Sequence, residues 1–276
     1  MKKALLVVVL LLFSSMLFAQ KIKLSESKLK NQLDTILKEG NLLYKYAKST
    51  RIAIDSALAN PTVQLNLFWT YFTYEEGGQV KTIITVKNDQ ICVAEYIFED
   101  DFSKPKSVII ERRELTAKER YLIDLQVKIH EQIRNPKYEV TFSRGYGCTV
   151  DFILIPDANI YKLFIIRGAS EECEENIIPF GNDYLFIANK KGKIKSWQKF
   201  HSQFIPVYMT YDGRKVAEMT HSHIRTTPLI TATDICTFKL YAPLYDIDEF
   251  SVYSPALDLY MKYNWKENKI TVLPAE

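Results

Sequence analysis

The chain of 276 residues is 47% apolar and 25% charged, ordinary proportions for a globular protein, which excludes extensive disorder. Its formal net charge is +3, and Lys2 and Lys3 supply two of the positive charges, so no general attraction for nucleic acid or acidic membranes is expected. Seventeen Tyr and fifteen Phe against nine Gly favour a chain rich in strands with a sizeable core.

Met1-Lys2-Lys3 followed by the apolar run Ala4 to Phe18 reads as a secretory signal, with cleavage after Ala19. The run is short for a membrane span, which needs roughly 20 residues. The mature protein is therefore expected to be exported, periplasmic or secreted, with no stable membrane anchor. Export implies an oxidising compartment, where Cys92, Cys148, Cys173 and Cys236 allow three fully paired connectivities.

Residues 24–60 predict a long helix. Leu29, Leu33, Ile36, Leu37, Leu43, Tyr44 and Ala47 recur at helical spacing. Ser25 or Ser27 caps its start, Gly40 marks a bend or break, and Asn60-Pro61 ends it. A β meander follows. Its strands cover Val63 to Tyr71, Val80 to Val86 and Ile91 to Phe98, with turns at Glu75-Glu76-Gly77-Gly78 and Asn88-Asp89, and Ser107 to Glu111 is a fourth strand. Thr116 and Glu119 form a T-x-x-E capping box opening a helix that runs to Asn135-Pro136. Strands dominate from there: Val150 to Ile155, Tyr161 to Ile166, Tyr184 to Ala188, Ile194 to Phe200, Lys215 to His223, Phe250 to Tyr253, Ala256 to Tyr263 and Lys269 to Leu273, with a helix over 231–242. The class is α+β. Residues 1–19 form the signal segment, 20–112 a helix-plus-meander module and 113–276 a mixed-sheet domain with flanking helices.

Four histidines occur, His130, His201, His221 and His223. On a strand, positions i and i+2 share a face, so His221 and His223 point the same way and can supply half of a zinc site. The bland alternative is two strand histidines bonded to backbone or solvent. His201 reads as structural or exposed, and the acidic run Glu171 to Glu175 as a solvated loop. Cys236 is a soft ligand, a disulfide partner or a buried thiol. No CxxC, GxSxG, HExxH or P-loop is present, which lowers zinc-ribbon, serine-hydrolase, zincin and nucleotide-hydrolase readings.

Downstream of the pair, Thr231 and Asp234 complete an H-x-H-x7-T-x2-D pattern. It resembles the H-x-H-x7-S-x2-D motif of the JAB/MPN metalloprotease family, also called JAMM, over about residues 160–265, and the order strand, helix, strand, strand around it is similar. The resemblance implies that His221, His223 and Asp234 hold Zn²⁺ with a water in the fourth position. It gives Thr231 a role in oxyanion stabilisation and Asp183 or Glu175 that of general base. It also implies hydrolysis of a peptide or isopeptide bond in a peptide or protein substrate. Asp183 and Ile224 depart from the family pattern, which has Glu and often Pro. The other reading is a non-catalytic secreted binding or scaffold protein.

Overall fold

The protein is represented by a computed structural model that describes residues 22, 24–64, 69–86, 91–100, 102–142, 148–168 and 175–275. The expected signal segment, the Asn88-Asp89 turn, Glu171, Glu172, Cys173 and Glu174 lie outside these residues. The expected α+β class is found.

Helix α1 spans Glu26–Leu58 and is capped by Ser25, whose hydroxyl accepts from the Lys28 N–H. It passes Gly40 without a break. The glycine serves a close approach instead: a Cβ there would lie 2.8 Å from the Ile235 side chain. Helix α2, Pro61–Gln64, occupies the start of the expected Val63 strand, and strand β1 is described over Trp69–Glu76. The reason is local: Asn60 Oδ1 accepts from the Thr62 N–H, and Pro61 is preset for the first helical position.

Strands β1, β2 (Gln79–Val86), β3 (Ile91–Phe98) and β4 (Ser107–Ile109) form one antiparallel sheet in that order, and β5 (Arg113–Glu114) pairs with β3. Helix α3 (Ala117–Ile133) starts at the Thr116/Glu119 capping box, as expected. A second sheet has β6 (Thr149–Asp157), β7 (Ile160–Gly168), β9 (Tyr184–Asn189) and β10 (Ile194–Lys199) in the order β10-β9-β7-β6. Strands β8 (Ile177–Gly181) and β11 (Phe204–Tyr208), absent from the sequence expectation, pair with each other.

The expected strand from Lys215 to His223 is split, because its two ends pair with different partners. Strand β13 (Arg214–Lys215) pairs with β12 (Thr210–Tyr211). Strand β14 (Thr220–Ser222) pairs parallel with β15 (Glu249–Ser254). Strands β16 (Leu259–Asn264) and β17 (Lys269–Pro274) complete that sheet.

Helix α4 (Ala232–Tyr245) links the parallel pair β14 and β15, as a parallel connection requires. Ten of its residues are buried, among them Ile235, Phe238 and Leu240, so it is a core helix and its first turn opens inside the protein. One core cluster joins Leu43 and Tyr46 of α1 to Phe164, Ile178, Ile235 and Phe250, and another joins Phe72 and Ile83 to Ile129 and Phe186. Packing therefore crosses the boundary expected near residue 112. Among the described residues no helix is long and apolar enough to cross a membrane.

Candidate metal centre

Four side chains converge where β10, β14 and the first turn of α4 meet: His201, His221, His223 and Asp234. Each offers one donor atom, all four atoms lie within 4.8 Å of one another, and all four residues are buried. His221 sits on β14 and His223 one residue beyond it, where its N–H still donates to the Tyr253 carbonyl at 2.9 Å. The extended backbone thus puts both rings on one face, and their Nε2 atoms are 3.1 Å apart. His201 follows β10 and brings its Nε2 to 2.9 Å from that of His223. Asp234 Oδ1 lies 3.4 Å from Nε2 of both His201 and His221, and Oδ2 lies 3.3 Å from that of His223.

Protonation makes these contacts informative. His201 Nδ1 is 2.7 Å from Asp183 Oδ1, and His223 Nδ1 is 2.7 Å from the Leu229 carbonyl and 3.1 Å from that of Thr227. These oxygens only accept, so both Nδ1 atoms carry the hydrogen and donate it. In the neutral imidazoles the two Nε2 lone pairs then face each other at hydrogen-bond distance with nothing to share. A cation at their meeting point resolves the repulsion, either a metal ion or, in its absence, the second proton of His201. Burial works against a charge on His201, but the carboxylates of Asp183 and Asp234 overcome it and raise its pKa to about 9. Burial lowers that of His221 despite Asp234. Burial alone would raise that of Asp234, yet the surrounding imidazoles, His201 first, hold it well below the usual carboxylate range.

Asp234 Oδ2 accepts from the Thr231 N–H at 2.8 Å and the Thr231 hydroxyl at 2.7 Å, whereas Oδ1 is buried without a hydrogen-bond partner. An orphaned carboxylate oxygen beside imidazole nitrogens of fixed tautomer suits a divalent metal. The spacing agrees: around Zn²⁺, with bonds of about 2.0–2.1 Å, tetrahedral ligands stand roughly 3.3 Å apart. Phe180 and Phe250 wall His221 at ring distances of 4.9 and 5.8 Å.

Of the residues singled out in the sequence, His221, His223 and Asp234 meet as expected. Thr231 is the N-cap of α4, and its hydroxyl is engaged in orienting Asp234. Asp183 does not face the convergence point. Both its oxygens are occupied, Oδ1 by His201 and Oδ2 by the Thr233 hydroxyl, so it stands behind a donor where a general base would have to stand in front of it. Glu175 lies on an exposed turn before β8 and contributes no donor. Cys236 is a buried free thiol outside the group, its pKa pushed up to about 12 by burial; Cys92 is also free, and Cys148 is disulfide-bonded.

The donor that sequence reasoning missed is His201. It comes from a separate strand end, twenty residues before His221, and no local pattern ties it to the motif. With four donors the group differs from the three-ligand, one-water set that the resemblance implies. A cavity of about 380 Å³ adjoins Thr227, Leu229 and Thr231, but none of the four donors lines it. No family model, curated protein or solved structure matches this chain.

Proposed function

We propose that this protein is an exported metal-binding protein in which His201, His221, His223 and Asp234 hold one Zn²⁺-like divalent ion as a closed centre. One observation carries the reading: His201 and His223, each with its Nδ1 committed to an acceptor, bring their Nε2 atoms within 2.9 Å of each other beside a buried carboxylate oxygen that has no hydrogen-bond partner. Three imidazoles and one carboxylate suit Zn²⁺ and neighbouring transition ions and disfavour Mg²⁺ or Ca²⁺, which take oxygen ligands. Four buried protein donors are the pattern of a structural site, because a catalytic site keeps a position open. The ion would fasten β10, β14 and the start of α4 together, so its binding free energy becomes folding free energy. Export rests on the basic and apolar character of residues 1–19.

The test is metal analysis of the purified full chain after reconstitution with Zn²⁺ and gel filtration. About one equivalent in the wild-type chain and none in His223→Ala is the expected result. A wild-type chain that retains no metal overturns the reading.

A second reading, a JAB/MPN-like hydrolase of peptide or isopeptide bonds, is favoured by the convergence of His221, His223 and Asp234 in the register of the H-x-H-x7-T-x2-D motif. It requires His201 to leave the centre so that water can enter, and a base other than Asp183. Peptide cleavage by the metal-loaded chain that disappears in Asp234→Asn is its test, and a wholly inactive loaded chain leaves the structural reading alone standing.

A further inference from the structure

We propose that Asp183, clamped by Thr233, is the positioning residue that makes His201 the fourth ligand and closes the centre. This rests on the metal-binding reading above. The H-x-H and T-x2-D segments bring their three donors together through short-range geometry, a strand face and a helix cap. Nothing comparable orients His201, which lies at the end of β10, and imidazole can turn over about its ring bond to present either nitrogen.

The second-layer contacts decide which nitrogen faces inward. Asp183 Oδ1 accepts from His201 Nδ1 at 2.7 Å, which turns Nε2 toward the other donors as the nitrogen that a metal would bind. Asp183 is itself fixed. Its second oxygen accepts from Thr233, and its backbone carbonyl accepts from the Phe200 N–H at 3.1 Å, one residue before the histidine it serves. The pairing of β8 with β11 holds the same two segments together, with Gly181 opposite Phe204. Asp183 and Thr233 are both buried, so neither exchanges its partner for solvent.

The economy of the arrangement lies in α4. Its first turn supplies Asp234 as a donor and, one residue earlier, the hydroxyl that secures the carboxylate behind a different donor. Closing the centre is therefore coupled to seating this helix end. Loss of the Asp183 contact would free His201 to turn away, leaving the three motif donors and a position for water.

Full-length chains loaded with Co²⁺ test this, because four-coordinate Co²⁺ absorbs strongly in the visible and its bands shift when one ligand is exchanged for another. The wild-type chain is expected to show the strong bands. Asp183→Ala should weaken Zn²⁺ binding, measured against a chromophoric chelator, by about 10–100-fold and shift the Co²⁺ bands, as water takes the place of the third imidazole. His201→Ala should do the same, and adding Asp183→Ala to it should change nothing further, because the carboxylate acts only through that ring. Additive losses, or Co²⁺ bands in Asp183→Ala identical to those of the wild-type chain, overturn the role of Asp183. If Asp183→Ala does not fold, Thr233→Val against Thr233→Ser decides. Weaker binding in Val restored in Ser supports the clamp, and equal affinities overturn it. A wild-type chain that takes up no Co²⁺ or Zn²⁺ overturns the metal reading itself, an outcome distinct from uptake with additive losses.

Discussion

Helices α3 and α4 begin with the same device and put it to opposite uses. In each, a threonine caps the first turn and an acid three residues on returns a hydrogen bond: Thr116 N–H to Glu119 Oε2 at 2.7 Å, and Thr231 N–H to Asp234 Oδ2 at 2.8 Å. Both acids are fully buried. They differ in what neutralises them. Arg113 grips both oxygens of Glu119 at 2.8 Å, and the Tyr74 hydroxyl donates to Oε1, so the charge is matched by a cation that the chain itself supplies permanently. Asp234 faces three imidazoles and keeps one oxygen without a hydrogen bond. A cap consumes one oxygen of an acid, and the partner of the other decides whether the acid is neutralised within the chain, as Glu119 is, or could serve as a ligand, as Asp234 could.

Removing the metal should have the largest effect and should separate the two caps. At a free metal concentration a thousandfold above Kd, binding to the folded state alone adds about 4 kcal/mol. A chelator, or His223→Ala, should therefore lower the urea midpoint of the loaded wild-type chain by a corresponding amount. An unchanged midpoint on chelation would count against the α4 cap being a ligand.

Next in size is Glu119→Gln, with an expected loss of about 3 kcal/mol that chelator neither adds to nor removes. Burial raises the Glu119 pKa, but Arg113, the Thr116 N–H and Tyr74 together bring it down from 4.5 to about 2. A depressed folded-state value means that this stability is present above about pH 4.5 and is lost as pH falls toward 2. Urea titrations between pH 7 and 2 should show the wild-type advantage over Glu119→Gln disappear across that window. An advantage that persists at pH 2 would contradict the Arg113 pairing.

The smallest effects sharpen the comparison most. Thr116→Ala and Thr231→Ala each remove a capping hydroxyl, and each should cost the metal-free protein about 1 kcal/mol. Only Thr231→Ala should also weaken Zn²⁺ binding, because the Thr231 hydroxyl holds Asp234 Oδ2 at 2.7 Å. Chelator competition on both variants measures this, and equal affinities would mean that Asp234 needs no help from its cap.

Much of the fold was legible because it is written in short-range patterns. The spacing of Leu33, Leu43 and Ala47 marks α1, both T-x-x-acid boxes start helices, and the apolar runs of β7 and β9 mark strands. The errors fall where a tertiary partner overrides a local preference. Gly40 reads as a break but accommodates Ile235, and Lys215 to His223 reads as one strand but is divided between β12 and β15. At the site, His221, His223 and Asp234 are visible together in the sequence, whereas His201 is not, and Asp183, expected as a candidate base, is bonded to His201 and Thr233.

Sequence alone determined the contributions that act within about a dozen residues: two imidazoles on one strand face, a carboxylate turned inward by its own helix cap, and the spacing between them. The tertiary structure decided the rest. It brought a third imidazole from the end of β10 and placed Asp183 behind that ring instead of before the cluster. The physical reason is range. Backbone geometry fixes side-chain direction over one element, but the nitrogen of His201 turned away from the cluster is bonded to Asp183, a residue of another segment that Thr233 of α4 also contacts.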